Sequence, residues 1–278
     1  MRKINYPLIV SDFDGTLVRD DGELSENNKN AISDYVKVGG KFAISTGRMP
    51  SGILSRAREL GLQGFVCCGQ GSTIVEIDSG EVVQSKGIEI ATAVRICEKM
   101  QSLGLHIHVY YVWDYYSNMD DQWLKDYERI VREKAKLVLD MPISEFVKTK
   151  GEEPCKILAI VDPDQAPNIM LELEKENYVG CTVTRSASFL VELCNKNYSK
   201  GTSVAFLAQK YAIPLDKTIA IGDQMNDVSM IQTAGLGVAV KNADEILKKS
   251  ANLVLDYTNE EDAIARLIEE YAYGEEWI

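Results

Sequence analysis

Positive charge is the scarcer sign in this chain: 30 Lys and Arg stand against 42 Asp and Glu in 278 residues, a net charge of −12. Non-specific nucleic-acid binding is thereby disfavoured, because it needs Lys and Arg to replace the counterions of the phosphate backbone. A phosphorylated small molecule remains admissible, provided that a metal ion or a few local cations receive it. Long apolar runs are also missing. None approaches the ~18 residues of a membrane span, and Leu8-Ile9-Val10, behind a basic start, is too short for the core of a signal peptide. The expectation is a cytoplasmic protein with no membrane partner. The six cysteines, Cys67, Cys68, Cys97, Cys155, Cys181 and Cys194, form neither a CxxC pair nor the dense spacing of a secreted scaffold. Reduced, mostly buried thiols are expected. With 45% hydrophobic and 26% charged residues, disorder and fibrous classes are excluded, and the length suits one large or two medium domains.

What is present is an alternation of short β-rich runs with helical patterns. Leu8-Ile9-Val10 leads into Ser11-Asp12-Phe13-Asp14-Gly15-Thr16, an apolar strand that ends in polar, glycine-containing chain. Ser25 can cap a helix with Ile32, Tyr35 and Val36 at helical spacing, stopped by Gly39-Gly40. A second strand, Phe42-Ala43-Ile44, ends in Ser45-Thr46-Gly47-Arg48. A helix from about Pro50 follows, then a third strand, Phe65-Val66-Cys67-Cys68. Repeated βα units of this kind predict a parallel sheet with helices on both faces. After about residue 84 the stretch reads as a separate small α/β unit, and the βα rhythm resumes near 200. The predicted architecture is a doubly wound, Rossmann-like α/β core over 1–84 and 191–278, with an α/β cap inserted at 85–190.

In parallel α/β sheets, ligands bind outside the carboxyl ends of the strands. Those ends carry Asp12 and Asp14, then Thr46, then Gly222-Asp223 followed by Asn226 and Asp227, with Lys200 opening the helix in between. Four fixed letters such as Asp-x-Asp-Gly-Thr arise by chance roughly once in 10⁵ positions. A solvated turn would account for an isolated Asp-Gly, but would leave the other strand ends unexplained. Lys200 alone would read as a surface lysine; its place in Tyr198-Ser199-Lys200-Gly201, between the other motifs, argues otherwise.

Taken together, Asp12-Phe13-Asp14-Gly15-Thr16, Ser45-Thr46-Gly47-Arg48, Ser199-Lys200-Gly201 and Gly222-Asp223-Gln224-Met225-Asn226-Asp227 resemble, in order and spacing, the haloacid dehalogenase superfamily of aspartate-nucleophile phosphatases. The resemblance is strongest to its Cof-type subfamily of sugar-phosphate phosphatases, whose larger α/β cap the insertion matches. It implies Asp12 as nucleophile and Asp14 as the general acid, then base. It also implies Mg²⁺ on Asp12, Asp223 and the backbone carbonyl of Asp14, with Asp227 orienting the metal shell or the lysine. Lys200, Thr46, Asn226 and the backbone N–H groups of Phe13 and Gly47 are expected to cradle the phosphate. Each role answers one need: a doubly negative ester repels an anionic attacker, so its charge must be neutralised first. The implied substrate is a small phosphorylated metabolite, a sugar phosphate first, with a nucleotide or phosphorylated cofactor behind it.

The chain departs from the subfamily where Gln70-Gly71-Ser72 stands in place of an Asn-Gly-Ala sequence, which bears on substrate class rather than chemistry. Arg48 is a candidate substrate contact, as is Arg185, because guanidinium suits carboxylate or phosphate. In the cap, period-two alternation places His106, His108 and Tyr110 on one strand face and Tyr111, Trp113 and Tyr115 on another, and sheet packing explains both better than ligand stacking does. The tail from Glu269 reads as a docked or frayed helix end. Two rivals remain at this point. One is a phosphotransferase or mutase on the same scaffold. The other is a receiver-like protein phosphorylated as a signal, which would lack the second aspartate and the cap.

Overall fold

The computed structural model describes residues 2–277, with side chains over 3–274. Its centre is a five-stranded parallel sheet in the order Leu253–Val254, Leu236–Ala239, Thr218–Gly222, Leu8–Ser11, Lys41–Ile44. The middle strands are apolar along most of their length because helices cover both of their faces: Leu8, Ile9, Val10, Ile219, Ala220 and Ile221 are all fully buried. Ser25 caps the Glu26–Lys37 helix by accepting from the Asn28 N–H. The chain turns out of that helix at Gly39, whose φ of 103° is open only to glycine at low cost. Ser199 and Thr202 form a reciprocal cap on the Lys200–Lys210 helix. No helix among the described residues is long and apolar enough to cross a membrane.

The strand order brings the carboxyl ends of Leu8–Ser11, Lys41–Ile44 and Thr218–Gly222 side by side, so residues distant in sequence meet at one edge. The predicted third strand runs parallel beside Lys41–Ile44 where Ser45 bridges Cys67, but it is not part of the five-stranded ladder. Phe65–Cys68 lies in a separate three-stranded antiparallel sheet with Thr73–Glu76 and Val82–Ser85, and touches the core sheet through one bridge, Ser45 to Cys67. The cause is local. A turn over Gly69–Gly71, with Gln70 in the left-handed region (φ 61°), reverses the chain straight after Cys68.

The insertion is a six-stranded sheet in the order Cys181–Ala187, Leu190–Asn195, Lys156–Ile160, His106–Tyr110, Tyr115–Ser117, Lys136–Leu137. Period-two alternation divides its faces. Ile107, Val109, Ile157, Ala159, Val191 and Leu193 join one core, which packs against the helices Ile90–Ser102, Ile143–Lys150 and Ala166–Lys175. Tyr110, Leu158, Ile160 and Leu190 join another beneath the helix Gln122–Val131, together with Met49 from the parallel-sheet domain. The inserted sheet therefore turns one face toward the strand ends of the core.

Three finer expectations are corrected here. Leu190–Asn195 is paired on both sides within the inserted sheet, so the chain returns to the core after Asn195 and not at 191. Tyr115 packs flat on Tyr110 across the Tyr110–Tyr115 strand pair (ring centroids 4.8 Å, planes 8° apart), whereas Tyr111 sits in the opposite core and Trp113 is 47% exposed. A turn at 111–114 breaks the alternation, so the second aromatic trio shares no face. The tail continues past a helical turn at Ile268–Ala272 into a strand, Tyr273–Trp277, that pairs with Arg2–Ile4; Ile278, the last residue of the expected helix end, lies outside the described residues.

Candidate active site

Asp12 follows directly on the central strand and is anchored by its N–H to the Ile221 carbonyl (2.9 Å). Its carboxylate is 5% exposed and accepts from Lys200 Nζ at 2.5 Å, and the same ammonium donates to Asp227 Oδ1 at 2.6 Å. The other Asp227 oxygen accepts from the N–H groups of Asp223 (2.9 Å) and Gln224 (3.0 Å). Asp223 accepts from the Thr16 hydroxyl at 2.7 Å. Gly15, at φ +73°, is required beside it, since a Cβ there would lie 2.5 Å from Asp223 Oδ2. Asp12, Asp223 and Asp227 each place a carboxylate oxygen within 4.8 Å of the others.

Three buried carboxylates around one lysine leave negative charge uncompensated. Burial, then Asp227, push the Asp12 carboxyl well above the usual range against the pull of Lys200. The same two causes raise Asp223 to about 7. Burial opposes the charge on Lys200, yet Asp12 and Asp227 outweigh it and hold its pKa above the ordinary lysine value. The cluster fits a hard divalent cation with oxygen ligands, such as Mg²⁺. Asp12 and Asp223 are suited to hold it, because both oxygens of Asp227 are already engaged.

Above this cluster lies a chamber of about 200 Å³ between core and cap. Asp12, Asp14, Thr46, Gly47, Arg48 and Asn226 line it from below, and Tyr110, Tyr127, Lys156, Glu192 and Glu133 line it from the cap side. Asp14 is half-exposed and engaged through both oxygens by Arg48 (Nε to Oδ2 2.8 Å, Nη2 to Oδ1 2.7 Å). Arg48 also donates to the carbonyls of Val131 (3.2 Å) and Ile130 (3.3 Å) at the end of the cap helix, and its guanidinium lies over the Phe13 ring at 5.3 Å. The Thr46 hydroxyl accepts from the Arg48 N–H at 3.1 Å. Of the expected core residues, Asp12, Asp14, Thr46, Gly47, Arg48 and Asn226 line the chamber and Lys200, Asp223 and Asp227 lie in the carboxylate cluster around Asp12, whereas Arg185, on the Cys181–Ala187 strand, does not line the chamber.

Sequence reasoning missed the cap's contribution. Lys156 and Glu192, both fully buried on adjacent strands, pair at 3.1 Å. Glu192 also accepts from Ser186 (2.7 Å) and from Gln70 Nε2 (2.6 Å), while Gln70 Oε1 accepts from Asn226 Nδ2 (3.0 Å). Gln70, noted only as a departure in sequence, therefore ties the cap sheet to the phosphate-site asparagine. A Cβ on Gly47 would lie 2.7 Å from Gln70 Nε2 and 3.5 Å from Lys156 Nζ, so glycine there admits this network. A signal did exist: a charged residue inside each of two apolar strand runs, Lys156-Ile157-Leu158 and Leu190-Val191-Glu192-Leu193, marks a buried pair.

Comparison with known proteins agrees with this geometry. The family model for haloacid dehalogenase-like hydrolases matches residues 9–268. A 5-amino-6-(5-phospho-D-ribitylamino)uracil phosphatase of Bacillus subtilis is 27% identical over 95% of this chain and 95% of its own. Another phosphatase of that organism is 27% identical, covering 94% and 98%. Among solved structures, a haloacid dehalogenase-like hydrolase from B. subtilis superimposes with a TM-score of 0.85 at 25% identity over 95% of this chain and 99% of that one. One from Bacteroides thetaiotaomicron reaches 0.80 at 28% identity over 95% and 98%. The chain belongs to the haloacid dehalogenase-like hydrolases, and among them to the Cof-type phosphatases with an inserted α/β cap.

Proposed function

We propose that this phosphatase hydrolyses a small phosphate monoester through an aspartyl phosphate on Asp12, with Mg²⁺ held by Asp12, Asp223 and the backbone carbonyl of Asp14. The observation that carries the proposal is the placement of Asp12: it is buried, bridged by Lys200 to Asp227, and faces a chamber whose opposite wall belongs to the cap. When bound, Mg²⁺ would offset the repulsion between carboxylate and phosphate dianion. Asp12 attacks phosphorus in line, and the bond to the leaving oxygen breaks as Asp14 gives that oxygen a proton. Asp14 then takes a proton from water, which attacks the phosphorus of the aspartyl phosphate and releases inorganic phosphate. Lys200, the Thr46 hydroxyl, the Asn226 amide and the N–H groups of Phe13 and Gly47 hold the phosphoryl oxygens. For Asn226 to do so, its amide must leave Gln70, to which it now donates. Closure of the cap excludes bulk water.

A phosphorylated sugar or sugar alcohol is the substrate class favoured. The small chamber supports that choice, as does the phosphoribityl group in the name of one relative. The cytoplasm is the compartment favoured, supported by six cysteines that form no disulfide. The expected result in a panel of phosphorylated metabolites is Mg²⁺-dependent phosphate release, abolished by EDTA and restored by added Mg²⁺. Release that persists undiminished in EDTA contradicts the metal assignment. Transfer of the phosphoryl group to a second sugar hydroxyl in place of water indicates the phosphotransferase instead.

A further inference from the structure

Every cation at the leaving-group end of the site already has a carboxylate partner. In the chamber, Arg48 is held by Asp14 and Lys156 by Glu192. A wider cleft leads outward from Arg48 and Asp14 past four further arginines. Of these, Arg19 pairs with Asp262 (3.6 Å), Arg56 with Glu23 (3.3 Å), Arg129 with Asp126 (2.6 Å) and Arg132 with Glu23 (3.5 Å). No cation among the described lining residues is left over for a second anionic group on the substrate.

One anion, in contrast, has capacity to spare. Glu133 follows the Gln122–Val131 helix of the cap and lines both the chamber and the outer cleft, so it stands where the two meet. Its Oε1 is buried without a hydrogen-bond partner, while burial raises the carboxyl's pKa and the Ser51 hydroxyl and Arg48 charge pull it down. That oxygen is packed against the start of the Pro50–Glu59 helix, 3.0 Å from where a Cβ on Gly52 would sit, and its main-chain carbonyl is pinned by the Tyr115 hydroxyl (3.2 Å). A buried acceptor without a donor is costly unless something supplies one.

We propose that Glu133 sets the leaving-group specificity of this site: its free carboxylate oxygen accepts a hydrogen bond from a hydroxyl or amine of the leaving group and turns away esters carrying a second anionic charge there. This deepens the phosphatase reading and rests on it. Bisphosphates, phosphorylated acids and nucleoside polyphosphates are poor substrates on this account, and neutral polyol or amino-sugar monophosphates are good ones. A like charge within hydrogen-bonding range, in a partly desolvated site, is enough to discriminate at least about tenfold.

The test uses pairs of esters that differ in one terminal group: glycerol phosphate against phosphoglycerate, and sorbitol phosphate against phosphogluconate. Phosphate release is measured with Mg²⁺ for the wild type, Glu133→Gln and Glu133→Asp, and kcat/KM is compared within each pair. The wild type is expected to favour the alcohol at least about tenfold, the Gln variant to bring the ratio within about threefold, and the Asp variant to keep the preference. A structural role alone would lower both members together and leave the ratio unmoved. Equal use of alcohol and acid by the wild type, or a ratio unchanged in Glu133→Gln, overturns the assignment while leaving the phosphatase reading intact. No release from any member contradicts the phosphatase reading itself, and this inference with it.

Discussion

Replacing Asp12 with asparagine lowers phosphate release by ~10⁴-fold or more, the scale on which a covalent nucleophile is lost. Asparagine keeps the shape of the side chain but presents a neutral amide to the phosphorus. The fold should not suffer, because the wild-type carboxylate is the strained partner: burial and Asp227 already oppose its charge. In the variant, Lys200 keeps Asp227 as its counter-ion. The metal-free variant is therefore expected to melt at or above the wild-type temperature while showing almost no turnover. Residual activity within tenfold of wild type would remove Asp12 from its role.

Lys200→Met has the larger effect on stability. The ammonium is 1% exposed and is the cation that both Asp12 and Asp227 contact, so its loss strands buried negative charge. Removing one partner of a buried ion cluster costs about 3–5 kcal/mol. The sign with pH follows from the raised carboxyls. Asp12 and Asp223 hold their protons to higher pH in the folded protein than when unfolded, Asp223 to about 7. The folded state thus binds more protons below that value, and stability falls as pH rises through it. Without Lys200 the burden grows, so the gap in melting temperature between wild type and variant should widen from about pH 5 to about pH 8. A gap that narrows with pH would mean that Lys200 is not the principal counter-charge.

What could be read from sequence was what is local. Asp12, Asp14, Thr46 and Asp223 each stand within three residues of an apolar strand's end, and Lys200 stands one residue after a serine cap, so alternation and capping suffice to place them. The antiparallel partners of Phe65–Cys68 were not legible, although Gly69 and Gly71 announce a turn directly after it, because a glycine turn does not say which strand the chain pairs with on its return. The charges of Lys156 and Glu192 inside apolar runs were a signal of burial, but their pairing was not legible because it depends on register between residues 36 apart in the chain. Glu133 lies deeper still. It shares no motif, and only the closure of cap over core sets its carboxylate beside the chamber.

The covalent intermediate on Asp12 can be trapped in the Asp14→Asn variant. With p-nitrophenyl phosphate the leaving group needs no proton, so the first step survives, while hydrolysis loses its base. The expected result is a burst of about one equivalent of nitrophenol per enzyme, followed by slow turnover. In acid-quenched protein, the peptide containing Asp12 should gain the mass of one phosphoryl group. A burst absent under these conditions, or a phosphoryl group found on any residue other than Asp12, would contradict it.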